Sequence, residues 1–563
     1  MRYPSLLAAA IFFAASSASA QDAPQLSAER PKLVLAIVVD QMRYDYLSRF
    51  GAEFDSGLKR LIEEGAVFTN ANYEAAPTVT AIGHATILTG ATPSISGIAG
   101  NVWYERSEGR NVQSVTDTDA LPLGGGAGAS PKRLLVSTIG DELKISGKGG
   151  KVYGVSLKDR SAILPAGRMA DGAFWFDAKS GNFVSSTWYF NALPAWAEEF
   201  NEARLADRFA GQRFGDVTMP AAGEELYGEI DTSPFADQLV LDFALTVLEA
   251  EKLGTGSQTD LLSVSFSAMD YVGHGRGPDT PLIREMALAI DKRVGELLAA
   301  AEAQVGRGNV LAVFTADHGV APVPEENVAK RLPGGRYDAR AEREAVETAL
   351  DNAFGAGDYI LAVADLGYYL NRDPVPGKTI AYADMERVAA DTLRQQPQVV
   401  RVYTRSELGA GLVDGDAVDR RVRNGFNTQQ SGDVLAVHAP NWLSSGFGGT
   451  NHGTPYSYDT HVPVIFWGPS NLVQPGQYHT AAAVHDIAPT LAAQLGIAQP
   501  SGALGRVLDE ALPTWRSSRN VATQAQQPQP QARTNAEEEE GRSSLFGRTL
   551  RVRPNTDNTA GKK

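Results

Sequence analysis

Three apolar runs in this chain each end at an acid or an imidazole. Leu33 to Val39 (LVLAIVV) is followed by Asp40, Leu261 to Ser267 leads to Asp270 and His274, and Val310 to Thr315 leads to Asp317 and His318. Uninterrupted aliphatic and β-branched runs of this kind predict strands buried on both faces, the pattern of a parallel sheet. The carboxyl ends of such strands form the ligand crevice of an open sheet, so three endings of the same kind predict one polynuclear site. Asp oxygen and His nitrogen are donors that Zn²⁺ accepts. The first reading is therefore a metal-dependent hydrolase.

A second stretch, Pro77 to Asn101 (PTVTAIGHATILTGATPSISGIAGN), leaves hydroxyls where bulky side chains would usually stand. Pro77 favours an extended approach, and Ala81 to Leu88 is helix-compatible, with Thr80 at or just before its amino end. Helix amides at that end favour an anion such as phosphate. The local alternative is that Thr80 is only a cap, and composition does not choose among Thr78, Thr80, Thr86 and Thr89. His84 reads as a structural hydrogen-bonding residue one turn further on. Asn101, in a Gly-rich loop, reads locally as a turn former. Val152 to Leu157 reads as another core strand, followed by Lys158-Asp159-Arg160. A salt-linked surface turn is the plain reading, yet cations at i and i+2 share one side if the strand continues. Asp317 and His318 are adjacent, so both reach one site only if their strand has already ended. Gly319 makes that ending plausible.

Taken together, VVDQMRYDYL, TVTAIGHATILTG, KDR, DYVGH, TADHG and NHGTPYSYDTHVPVIFWG resemble, in that order, the alkaline phosphatase superfamily. The resemblance runs from Lys32 to Leu512. It is nearest to bacterial phosphatases related to nucleotide pyrophosphatases/phosphodiesterases that use a threonine nucleophile. It implies an α/β fold with an alkaline-phosphatase-like, largely parallel central β-sheet flanked by helices and carrying inserted cap regions. It selects Thr80 as nucleophile, Asn101 as a donor to a phosphoryl oxygen, and Lys158 with Arg160 as a clamp on the outer phosphate oxygens. One metal is implied at Asp270, His274 and His452, and another at Asp40, Asp317 and His318 with Thr80 at its corner. His461 stays outside the ligand set. Two Zn²⁺ ions are expected, with Ca²⁺ as an additional or substituting ion. The implied activity is hydrolysis of small phosphate monoesters through a covalent phosphothreonine. A phosphodiesterase or nucleotide pyrophosphatase is the alternative, and a non-enzymatic metal scaffold leaves Thr80, Asn101 and the cations unexplained.

The remaining chain frames this core. Residues 1 to 20 carry an early positive charge, an apolar centre and a small-residue end, a cleaved secretory signal rather than a span, so a periplasmic or secreted protein is expected. No later stretch reaches transmembrane length, and no pattern specifies an oligomeric state. The absence of cysteine excludes both a disulfide framework and a cysteine-derived nucleophile. A formal charge of −15 argues against a nucleic-acid partner, without forbidding a small anion beside metals. The catalytic core is expected over 31–330, with an insertion near 121–232 that includes an aromatic-rich β segment at Gly172 to Phe190. A cap or auxiliary α+β region follows over 331–448, a return to the core over 449–512, and a low-complexity tail over 513–563.

Overall fold

A computed structural model describes residues 30–446 and 448–513. The expected signal segment, and the tail from residue 514 onward, lie outside the described residues.

The central sheet has ten strands. In spatial order they are Gly476–Tyr478, Ala66–Phe68, Val464–Trp467, Val310–Thr315, Leu33–Val39, Thr259–Phe266, Gly149–Ser156, Gly172–Asp177, Asn182–Ser186 and Pro122–Leu123. The five strands from Val310–Thr315 to Gly172–Asp177 run parallel. Val464–Trp467, Asn182–Ser186 and Pro122–Leu123 run antiparallel to their neighbours. Every residue of Leu33–Val39 is fully buried, as its unbroken apolar run requires for a strand covered on both faces. Each such side chain contributes roughly 1.5–3 kcal/mol of burial free energy, so this strand is an anchor for whatever follows it.

Register fixes the site. Val38 stands opposite Ser265 on one side and Thr315 on the other, and Ser265 stands opposite Ser156. Four parallel strands therefore end in one row, and the residues just beyond them, from Asp40, Asp270, Asp317 and Lys158 onward, enter a common crevice. Helices Pro234–Ala250 and Pro281–Val305 cover the sheet with their apolar residues.

The aromatic segment from Gly172 to Phe190, read from the sequence as a β-rich insertion or pocket wall, joins the central sheet. Its strands Gly172–Asp177 and Asn182–Ser186 extend the central sheet, because Phe174, Trp175 and Phe183 find their burial there. Within 331–448, a four-stranded antiparallel sheet, in the order Ile360–Ala364, Gly367–Leu370, Val434–His438, Val399–Thr404, carries helices Ala339–Phe354 and Tyr382–Arg394 around its own apolar cluster. A helix of the same region, Ala417–Gly425, is fastened to the chain just before Pro77. Arg421 Nε donates to Tyr73 O (2.9 Å), Asn424 Nδ2 donates to Glu74 O (2.7 Å), and Ala76 N donates to Arg421 O (3.0 Å).

Candidate active site

Thr80 is the first residue of the buried helix Thr80–Thr89, whose cap position is the extended Val79 without a side-chain bond. The Thr80 hydroxyl is thus not consumed as a helix cap. Its Oγ1 lies 3.5 Å from His318 Nε2. The next amide, Ala81 N, donates to Asn101 Oδ1 (2.8 Å), which turns the Asn101 NH₂ into the group left to donate to an anion at this helix start.

Asp40, Asp317 and His318 follow the adjacent strands Leu33–Val39 and Val310–Thr315, and none has any exposure. One ligand atom from each lies within 4.8 Å of the others. The strand has ended at Thr315, so Asp317 and His318 both reach the crevice. His318 Nδ1 donates to Gly319 O (2.9 Å), which leaves Nε2 as an acceptor 3.4 Å from both Asp40 Oδ1 and Asp317 Oδ2. Burial lowers the His318 pKa to about 3, so the ring is neutral and competent as a ligand. Burial, with Asp40 opposite, pushes the Asp317 carboxyl far above the carboxylate range. Asp40 Oδ1 and Asp317 Oδ2 are buried without a hydrogen-bond donor. Two carboxylate oxygens and a neutral imidazole nitrogen converging in this way fit a divalent cation, which removes the repulsion that a bare pair must otherwise relieve by protonation.

A second group contains Asp270, His318 and His452, again within 4.8 Å of one another. His274 joins it through Asp270, with its Nε2 3.2 Å from Asp270 Oδ1. The structure thus brings all six expected ligands and Thr80 together, while His318, stacked on His452 at 3.6 Å, stands between the two groups. His452 Nδ1 donates to Thr78 O (2.7 Å) and His274 Nδ1 to Thr450 O (2.9 Å), so both rings present Nε2 inward. Burial and the neighbouring His318 and His274 rings hold the His452 pKa well below its ordinary value.

Asp270 and His274 do not extend a strand. The strand stops at Phe266, and both residues lie on helix Ala268–Arg276, where spacing i, i+4 puts them on one face. The same correction applies to the cations. The strand Gly149–Ser156 ends before Lys158, which caps helix Asp159–Ala166, and Arg160 lies in that helix's first turn. A helix start does not put i and i+2 on one face as a strand does, so strand alternation gives these two cations no common side. Lys158 Nζ, buried, bridges Asp40 Oδ2 (2.6 Å) and Asp270 Oδ2 (2.7 Å), one carboxylate from each ligand group. Burial opposes the charge, but Asp270 and Asp40 hold the ammonium protonated above its usual range. Among the described residues Arg160 has only the neighbouring Asp159 at 3.9 Å as an ion pair, and its Nε is buried without an acceptor there.

His84 is structural, as expected: its Nδ1 donates to Thr80 O (2.9 Å) and its Nε2 bonds Ser265 Oγ (2.8 Å). His461 also stays outside the ligand groups, with Nε2 bonded to Thr69 O and its ring stacked on Tyr44.

Sequence reasoning missed Gln41. Its backbone N donates to Asp317 Oδ1 (3.1 Å) and its Nε2 to Asp270 Oδ1 (2.6 Å), so one residue braces both groups. It does so at φ +67°, a conformation nothing in VVDQ announces for a glutamine. Tyr271 was missed as well. Its ring centroid lies 4.8 Å from Lys158 Nζ, a cation–π contact behind the clamp.

Residues 34–461 match the type I phosphodiesterase / nucleotide pyrophosphatase family. Alkaline phosphatase PhoV of Synechococcus elongatus is 34% identical over 520 residues, 86% of this chain and 93% of the relative. Alkaline phosphatase PafA of Elizabethkingia meningoseptica is 32% identical over 523 residues, 86% of this chain and 95% of the relative. A crystal structure of wild-type alkaline phosphatase PafA superposes with a TM-score of 0.80 at 32% identity, covering 86% of this chain and 99% of that one.

Proposed function

The chain belongs to the type I phosphodiesterase / nucleotide pyrophosphatase family of the alkaline phosphatase superfamily, and from that premise we propose that it hydrolyses phosphate monoesters through a phosphothreonine at Thr80. The observation that carries the monoester reading is Lys158, a single ammonium that touches a carboxylate of each ligand group, with Arg160 a half-turn away in the same helix start. A monoester has more charge on its nonbridging oxygens than a diester, and paired cations favour it.

In this reading Asp40, Asp317, His318 and the Thr80 hydroxyl hold one ion, and Asp270, His274 and His452 hold the other. Zn²⁺ is the proposed ion at both, since three imidazoles suit it, with Ca²⁺ as an additional or substituting ion. Two bound divalent ions supply charge cancellation at the attacking and leaving oxygens. Thr80 Oγ1 bonds to phosphorus as the bond to the leaving oxygen breaks, and the hydroxyl proton ends on that oxygen, which departs as the alcohol. Asn101 NH₂, Lys158 and Arg160 orient the nonbridging oxygens through both steps. Water then attacks the phosphothreonine, the Oγ1–P bond breaks, and inorganic phosphate leaves with the Thr80 hydroxyl restored.

We extend the proposal to the setting of the enzyme. Residues 331–448 act as a cap over the core, and residues 1–20 direct export to the periplasm or medium. No helix among the described residues is long and apolar enough to cross a membrane.

Rapid quench and intact-mass analysis of wild type and Thr80→Ala test the nucleophile, with metal content checked in both. A phosphoenzyme is expected in wild type only, and a normal burst in the variant overturns the assignment. Replacing Lys158 and Arg160 together is expected to cut kcat/KM for a monoester about 100-fold more than for a diester with the same leaving group, equivalent to ~2.7 kcal/mol. Equal losses, with an intrinsically faster diester, make the enzyme a phosphodiesterase.

A further inference from the structure

A cavity of 350 Å³ lies between the cap sheet and the segment Asn451 to Pro455 that contains His452. Its lining includes Tyr337, Tyr368, His438 and Trp442, with the carboxylates of Glu342 and Asp365, and it includes no lysine or arginine. That is an unusual wall beside a site for anions.

The two acids differ. Glu342 is built into the floor of the cap: its carboxylate accepts from Tyr368 OH (2.6 Å) and Gln398 Nε2 (2.7 Å) and meets His438 Nε2 at 3.1 Å, while Tyr337 stacks on His438 at 3.9 Å. These bonds hold the aromatic rings in place. Asp365 is free. It occupies the turn between strands Ile360–Ala364 and Gly367–Leu370 at φ +48°, and among the described residues no hydrogen bond or ion pair engages its carboxylate. The residue is exposed as a whole, but its carboxyl packs on the core at Gly100, where a Cβ would fall 2.5 Å from Asp365 Oδ2, and this local burial without a cationic partner pushes its pKa up to about 7. Gly100 precedes Asn101. The cavity thus adjoins the proposed site at His452, which lines it, and through Asp365 it meets the loop that carries Asn101; the His452 group is the one without the Thr80 hydroxyl.

Aromatic faces combined with carboxylates bind ammonium groups, by cation–π attraction and by charge. The same wall repels a leaving group that is itself anionic, such as a nucleoside diphosphate. The volume lies at the lower end of small-ligand sites and suits a compact alcohol.

We propose that this cavity is a leaving-group subsite for an ammonium-bearing alcohol, with Asp365 as the residue that recognises its charge. The proposal rests on the monoesterase reading for its catalytic consequence, but not for binding.

The test compares phosphocholine with its neutral isostere, 3,3-dimethylbutyl phosphate, on metal-loaded wild type and Asp365→Asn. The ratio of kcat/KM values, phosphocholine over isostere, is expected to fall about tenfold in the variant. Choline should also compete with the neutral ester in wild type, where 3,3-dimethylbutanol does not. An unchanged ratio, or inhibition by the two alcohols alike, overturns the subsite. If neither ester is turned over, the monoesterase reading fails, and calorimetric titration of choline into wild type still decides: binding with 3,3-dimethylbutanol silent supports the subsite, and no binding overturns it. Should Asp365→Asn fail to fold, Tyr337→Leu takes its place, with the same direction expected for the ratio.

Discussion

The two ligand groups are built differently. Asp40, Asp317 and His318 follow the ends of two hydrogen-bonded parallel strands and are wholly buried, so the register of the sheet sets their spacing. Asp270 and His274 come from a helix, and His452 from a segment beyond the cap, with the His274 side chain 31% exposed. The first group inherits the rigidity of the core. The second is assembled from a helix and a distant segment, so its geometry depends on more contacts, and an ion there is expected to exchange more readily.

The largest expected effect tests that contrast directly. Asp317→Ala should remove one equivalent of metal and lower kcat/KM by about 10³-fold, ~4 kcal/mol. His452→Ala should remove the other equivalent at a cost of about 10²-fold. Elemental analysis beside kinetics on dialysed protein measures both, and a limited chelator titration of wild type should empty the Asp270 group first. Equal losses in the two variants, or release of both ions together, erase the distinction.

Gln41 sharpens it. Gln41→Ala deletes the bond to Asp270 while keeping the backbone donor to Asp317, so occupancy should fall in the helix-borne group alone, with activity down about tenfold. Gln41→Gly loses the same bond without the strain of a β-carbon at φ +67°. It should therefore match the alanine variant in metal content and exceed it in thermal stability. Loss of metal from the Asp317 group in either variant refutes this division of labour.

The smallest effect concerns protons beneath the strand-end group, where His84 Nδ1 lies 3.3 Å from Asp317 Oδ2. Burial lowers the His84 pKa from 6.5 to about 4. Above pH 6.5 the ring is neutral in both folded and unfolded chains, and its contribution is fully present. Below that the unfolded chain takes up the proton first, and stability declines until the folded ring also titrates, by on the order of 3 kcal/mol in all. Urea midpoints measured through this window should slope less for His84→Gln than for wild type. Parallel slopes place the acid sensitivity elsewhere.

How much of this was legible depended on whether chemistry lay close to a strand. Leu33 to Val39 and Val310 to Thr315 could be read because a strand buried on both faces needs an unbroken apolar run, and the ligands stand immediately after it. Asp270 and His274 were identified as residues but set on the wrong element, since the turn from Phe266 into a helix leaves little mark in SAMDYVGH. Lys158 and Arg160 were paired by strand alternation, which does not apply because the strand ends at Ser156 and a helix starts after Lys158. Gln41 and Asp365 were invisible, because both act through left-handed backbone at residues whose side chains do not demand it, and Asp365 meets Gly100 across a separation that no local pattern spans.

The seam between helix Ala417–Gly425 and residues 73–76 has an evolutionary meaning. Those residues lead directly into Pro77 and the proposed nucleophile Thr80, and their carbonyls and amide are held by Arg421 and Asn424 from a region that enters the chain more than three hundred residues later. A cap fastened there cannot be traded like a cartridge. Transplanting a relative's cap would have to carry matching residues at 73–76 with it, so the two segments should change together through descent, and chimeras cut only at the edges of the cap should lose the alignment of Thr80 before they lose their fold.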